Sequence, residues 1–126
     1  MGVNKIWKGN NNEIYSIFSN SDWWEDSSPY LVPMMLDPNV KVWWYNGDLD
    51  FICNWLGEDK ATNTINWKYK GDWNQLVLQS CHYGQCKELP DQKVRFIKFA
   101  GAGHMVPHDQ IDLAVDLIND LIDFKN

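Results

Sequence analysis

Two short apolar runs, Val40-Lys41-Val42-Trp43-Trp44-Tyr45 and Val94-Arg95-Phe96-Ile97-Lys98-Phe99, each stop at a glycine-rich turn that carries a reactive side chain. The first turn, Asn46-Gly47-Asp48-Leu49-Asp50, offers carboxylates, and the second, Gly101-Ala102-Gly103-His104, offers an imidazole. The first run, β-branched and aromatic and barely alternating, fits a strand buried on both faces of a parallel sheet, and the second reads as a clean strand. Glycine lets the chain turn sharply where such a strand ends. An acid and a base placed on loops after two strands of this kind constrain the fold to the α/β class.

The remaining pattern fills in that architecture. Residues 1–28 mix asparagine, serine and glycine with isolated aromatics, so Asn10-Asn11-Asn12 reads as a loop before a short amphipathic stretch from Glu13 to Phe18. Ser27-Ser28-Pro29 predicts a serine cap with proline at a first helical position, and Tyr30, Leu31, Met34 and Met35 recur at helical spacing. That helix should stop at Asp37-Pro38-Asn39. Asn54 to Thr64 reads as helical. Trp67 to Tyr69, Leu76 to Ser80 and Lys87 to Leu89 read as short strands of an antiparallel excursion, with turns at Lys70-Gly71-Asp72 and around Gly84. A final amphipathic helix capped by Asp109 presents Ile111, Leu113, Ala114, Leu117, Ile118, Leu121 and Ile122 on its apolar side, with Asp112, Asp116, Asp120 and Asp123 turned to water. No internal repeat and no second domain is visible in residues 1–126.

Composition narrows the partners. Eight tryptophans and 44% hydrophobic residues supply apolar area for a core, to which the tryptophans are assigned, and 22% charged residues fit a partly globular chain. The net charge of −6 repels phosphate backbones and anionic lipid, so neither nucleic acid nor membrane is expected as a partner. Apolar stretches are too short to span a bilayer, and Met1 to Asn12 lacks the apolar centre of a signal peptide. For an internal piece of a longer precursor, that lack says nothing about the parent's compartment. Cys81 and Cys86 flank His-Tyr-Gly-Gln, a turn sequence, which favours a hairpin-tip disulfide and an oxidising compartment. Zinc held by Cys81, His82 and Cys86 is the alternative, though structural sites normally take four ligands. No metal and no cofactor is otherwise expected.

A carboxylate followed in chain order by a histidine, each after a late strand, is the acid and base of a Ser-Asp-His relay. The carboxylate fixes the imidazole tautomer and stabilises the imidazolium formed during attack. Asp50 and His104 meet that order. The block Gly47-Asp48-Leu49-Asp50-Phe51-Ile52-Cys53-Asn54-Trp55-Leu56-Gly57, with Gly101-Ala102-Gly103-His104-Met105-Val106-Pro107, closely resembles serine carboxypeptidases of the carboxypeptidase Y and lysosomal cathepsin A type. The similarity runs more weakly from Asp22-Trp23 through the last helix and corresponds to the carboxyl-terminal end of those enzymes. It implies the late parallel strands, small antiparallel excursion and final helix of an α/β-hydrolase fold. It further implies that Asp50 and His104 are catalytic and that Cys53 and Met105 line the substrate pocket. From the residues alone, Cys53 reads as a small inert core thiol and Asp48 as a loop aspartate bonded to backbone amides. His82 and His108 read as solvated loop side chains.

The resemblance implies a peptide substrate with a free C-terminus and a vacuolar, lysosomal or secreted location. No Gly-x-Ser-x-Gly elbow occurs in the 126 residues, and hydrolase domains of this fold run to about 200–250 residues. The expected partner is therefore an upstream portion bearing the serine, without which the chain should be inactive and poorly soluble. A non-catalytic degenerate copy or interaction module is the alternative reading.

Overall fold

A computed structural model describes residues 6–122. Among the described residues, six helices and four strands follow in the order α1 (Asn12–Ser19), α2 (Ser28–Leu36), β1 (Val42–Gly47), α3 (Trp55–Thr64), α4 (Lys70–Gln75), β2 (Gln79–Cys81), β3 (Gly84–Glu88), β4 (Val94–Phe99), α5 (Val106–Asp109) and α6 (Ile111–Ile122). The strands form one mixed sheet ordered β1-β4-β3-β2. β1 and β4 are parallel, with Val42 opposite Val94 and Gly47 opposite Phe99. β3 runs antiparallel to β4, and β2 antiparallel to β3.

β4 sits inside this sheet and sends alternate side chains to two separate cores. Val94 and Phe96 join Met35, Ile65, Trp67, Trp73 and Leu89 on the face covered by α2, α3 and α4. Ile97 and Phe99 join Tyr83, Cys86, Ala102, Val106 and Leu117 on the face covered by α5 and α6. Truncating Phe96, which is fully buried, would cost about 3–5 kcal/mol in lost transfer energy and cavity formation. Lys87 Nζ on β3, though buried, lies 2.6 Å from Asp59 and donates to Asn63 Oδ1 at 2.9 Å, tying α3 to the sheet. The Cys81–Cys86 disulfide closes the β2–β3 hairpin around its His82-Tyr83 turn, as expected, and constraining a loop of that size adds about 2 kcal/mol.

Several expectations are corrected. β1 is half-buried, not buried on both faces, because it forms an edge of the described sheet and Tyr45 is exposed. Trp67 to Tyr69 is a bend and turn, and the expected Lys70-Gly71-Asp72 turn is the start of α4. Trp67 and Trp73 stack edge-on at 6.4 Å within one core, which a compact turn achieves and an extended segment would not. Only Gln79 and Ser80 of the Leu76–Ser80 region lie in a strand, which runs on to Cys81. Ser27 precedes α2, but the side chain that receives the Ser28 amide is Asp26, at 2.9 Å. Asp109 closes α5 and does not cap α6. Trp7, Trp23 and Trp24 are exposed and outside the core. Asp123, expected on the solvated face of the last helix, lies outside the described residues.

Candidate active site

The parallel β1–β4 pair brings both glycine turns to the same end of the sheet, where they are laced together through the backbone. Asp48 donates its amide to Phe99 at 2.9 Å, and Leu49 donates to Ala102 at 2.9 Å. The Asp48 carboxylate accepts the Gly101 amide at 2.8 Å, the loop role expected for it. Gly47 is required by this approach, since a β-carbon there would fall 2.1 Å from the Ala102 carbonyl oxygen and 2.3 Å from that of Gly103. Gly101 adopts φ 70°, a left-handed conformation that glycine takes without steric cost.

Lacing the loops places Asp50 Oδ2 2.8 Å from His104 Nδ1. Oδ1 of the same carboxylate accepts the amides of Ile52 at 3.0 Å and Cys53 at 3.1 Å. An ionised carboxylate only accepts, so the shared proton belongs to Nδ1 and the Nε2 lone pair of neutral His104 is left available. The hydrogen bond from His104 holds the Asp50 carboxyl below the usual aspartate value; partial burial opposes it, and the Cys53 and Ile52 amides reinforce it. The Asp50 side chain is 7% exposed and that of His104 67%. The acid is thus shielded while the base is open to an incoming group.

Asn46, Asp109 and Gln110 support the site, and their roles were not read from the sequence. Asn46 Nδ2 donates to the Cys53 carbonyl at 3.0 Å, closing the Asp50 loop. Asp109 Oδ2 accepts the Gly103 amide at 2.8 Å, next to His104. The hydrogen bond from His108, then that from Gly103, keep the Asp109 carboxyl low against a smaller effect of burial. Gln110 Nε2 donates to the carbonyls of Ala100 at 3.0 Å and Gly101 at 3.3 Å. The sequence signal for Asp109, a short polar residue after a histidine turn, is the same one that suggests a helix cap.

Cys53 is a free, exposed thiol beside the pair, so the inert buried-core reading of it is overturned. Met105 is exposed immediately before α5. Leu49, Phe51, Ile52 and Leu56 also expose large apolar side chains around this end of the sheet. His108 is exposed as expected but lies in α5, not in a loop, and pairs with its neighbour Asp109 at 3.0 Å. His82 is an exposed side chain of the β2–β3 turn, as expected, and meets Asp116 of α6 at 2.7 Å; the adjacent Tyr83 hydroxyl donates to Asp120. Burial, then that acceptor, push the Tyr83 phenol well up.

A carboxylate and an imidazole hydrogen-bonded at the ends of two parallel strands can orient the imidazole and stabilise its cationic form. The chain belongs to the serine carboxypeptidase family, whose sequence pattern matches residues 1–123. It is 42% identical over 109 residues to carboxypeptidase Y homolog A of Pyricularia oryzae, covering 78% of this chain and 19% of that protein. It is 34% identical to carboxypeptidase Y of Candida albicans over 78% of this chain and 18% of the relative. A vacuolar serine-type carboxypeptidase of Saccharomyces cerevisiae is 29% identical over 92% of this chain and 24% of its own length. The chain therefore spans between 18% and 24% of these relatives.

Proposed function

We propose that the chain is the carboxyl-terminal part of a serine carboxypeptidase of α/β-hydrolase fold, supplying Asp50 and His104 to the release of single residues from the C-terminus of peptides. The observation that carries this reading is the 2.8 Å bond between Asp50 and His104, with the second carboxylate oxygen held by two backbone amides. A serine hydroxyl from an upstream portion attacks the scissile carbonyl while His104 Nε2 takes its proton, then returns it to the leaving amine. Asp50 holds the imidazole orientation and stabilises its cationic form. A water molecule, activated by the same nitrogen, then releases the acyl group.

Cys53 and Met105, both exposed beside the pair, are assigned to the wall of the substrate site. The exposed apolar side chains of Leu49, Phe51 and Ile52 support a covering partner at this end of the sheet, as large exposed apolar patches mark interaction surfaces. With no Gly-x-Ser-x-Gly in the 126 residues, the chain alone should not hydrolyse peptides. A vacuolar location is supported by the Saccharomyces cerevisiae relative named as vacuolar, and the disulfide fits an oxidising compartment.

The test mixes this chain with a separately produced upstream portion of a family member that carries the serine, and assays release of the last residue from an N-blocked dipeptide. Cleavage is expected, with loss on His104→Ala. A folded, assembled mixture that stays inert favours a non-catalytic module instead, and full activity of His104→Ala removes the assignment.

A further inference from the structure

Asp50, Cys53 and His104 present a carboxylate oxygen, a thiol sulfur and an imidazole nitrogen that all lie within 4.8 Å of one another. Proton transfer from a serine uses the carboxylate and the imidazole and has no use for the thiol. Among the described cysteines, Cys53 alone is free, since Cys81 and Cys86 are joined. Mixed nitrogen, sulfur and oxygen donors are the set that suits zinc, and three protein ligands leave a fourth tetrahedral position for water. In a tetrahedral shell at zinc-ligand bond lengths the donor atoms stand about 3.3–3.8 Å apart. Asp50 Oδ2 and His104 Nδ1, 2.8 Å apart, must therefore open by about half an ångström. The thiol closes by up to about an ångström, within reach of a χ1 adjustment at the exposed Cys53.

Asp50 is already oriented for such a role. The amides of Ile52 and Cys53 hold Oδ1 and leave Oδ2 directed at His104, the outer hydrogen bonding that positions metal-bound carboxylates. Asn46 fixes the Cys53 carbonyl and so limits the backbone from which the thiol projects. Three ligand types on two loops, one of them held by backbone amides, distinguish this cluster from a chance group of surface acids.

We propose that Asp50, Cys53 and His104 form a zinc-binding site that switches the Asp50–His104 pair off. Binding of Zn2+ releases the Cys53 thiol proton to solvent. The metal takes Nδ1 in place of the proton shared with Asp50, and that proton moves through solvent to Nε2. Nε2 then has no lone pair for the serine proton, and His104 no longer acts as a base. The regulatory consequence rests on the catalytic reading above; the metal site itself does not.

The metal-stripped 126-residue chain is titrated with Co2+, followed in the near ultraviolet, where thiolate-to-cobalt charge transfer absorbs, and then challenged with Zn2+. One equivalent of Co2+ should develop the band and Zn2+ should displace it. Cys53→Ser should abolish the band, and His104→Ala or Asp50→Asn should weaken binding at least about tenfold, with circular dichroism checking that each variant folds. Absence of the band, or a band untouched by Cys53→Ser or by His104→Ala, overturns the proposal. In the serine-complemented mixture, Zn2+ should inhibit cleavage and EDTA restore it. A mixture inert in EDTA with the cobalt band intact removes only the catalytic reading; an active mixture without the band removes only the metal site.

Discussion

The α-carbon of Gly47 lies so close beneath the carbonyl of Ala102 that the turn bearing the acid and the turn bearing the histidine share one packed interface with no room for a methyl group. The position of His104 relative to Asp50 is therefore set by contact between backbones, before either side chain chooses a rotamer.

Gly47→Ala should separate the two turns. The inserted methyl meets backbone rather than a flexible side-chain end, so a loss of at least about 1–3 kcal/mol is expected. Urea denaturation should show the lowered midpoint, and the serine-complemented mixture should lose cleavage. Unchanged stability would mean that the loops separate without cost.

Two aspartates two residues apart should behave differently. Asp50→Asn removes the negative charge that supports the histidine and should lower turnover of the complemented enzyme on the order of 10⁴-fold. Asp48→Asn keeps a side-chain oxygen for the Gly101 amide and should cost less than about tenfold. Asp48→Ala leaves that amide without its acceptor and should lower stability by about 1–3 kcal/mol. Equal turnover losses in Asp48→Asn and Asp50→Asn would contradict the division of roles.

Acid should loosen the site in a defined window. Asp50 and Asp109 titrate below the ordinary value of 3.8 when folded, as does Asp26 through its bonds to Ser28. Between their folded values and 3.8 the unfolded chain binds more protons, so stability rises with pH there. Their contribution is complete above about pH 5 and is lost as pH falls through 3.8 toward the folded values. Urea midpoints at low protein concentration should fall in that range, and less steeply in an Asp50→Asn, Asp109→Asn variant. A variant slope equal to wild type would rule these groups out as the cause.

The isolated chain should self-associate. Tyr45, Val106, Pro107, Ile111, Val115 and Ile118 line an apolar groove of about 350 Å³ along α6, at the edge strand of the described sheet. Such an edge and face favour pairing with other chains. Sedimentation should show mass rising with concentration and binding of a hydrophobic dye. A strictly monomeric species with a sharp cooperative melt would oppose this.

How far the sequence discloses the molecule depends on how local each determinant is. β4 matches its expected bounds of Val94 to Phe99 because Val94, Phe96, Ile97 and Phe99, β-branched or aromatic, suffice to define a strand despite Arg95 and Lys98. α6 follows from its periodicity, and the Asp50–His104 encounter from two glycine motifs. Trp67 to Tyr69 misleads because short aromatic runs suit a strand as well as a turn whose indoles meet in a core. Asp109 misleads because its partner, the Gly103 amide, is brought near only by the fold of the histidine turn. The exposure of Trp7, Trp23 and Trp24 likewise depends on what surrounds them, which side-chain hydrophobicity does not encode.

The direct pairing of β1 with β4, from Val42–Val94 to Gly47–Phe99, carries one further implication. Geometry between the two reactive side chains is metered by a short ladder, while the crossover joining those strands, with its hairpin and two helices, is excluded from the measurement. Insertions or deletions at exposed bends of that crossover can accumulate at small entropic cost without altering the spacing of acid and base. Descendants of this architecture are thereby free to vary the length of the chain between the two motifs while keeping the motifs in contact.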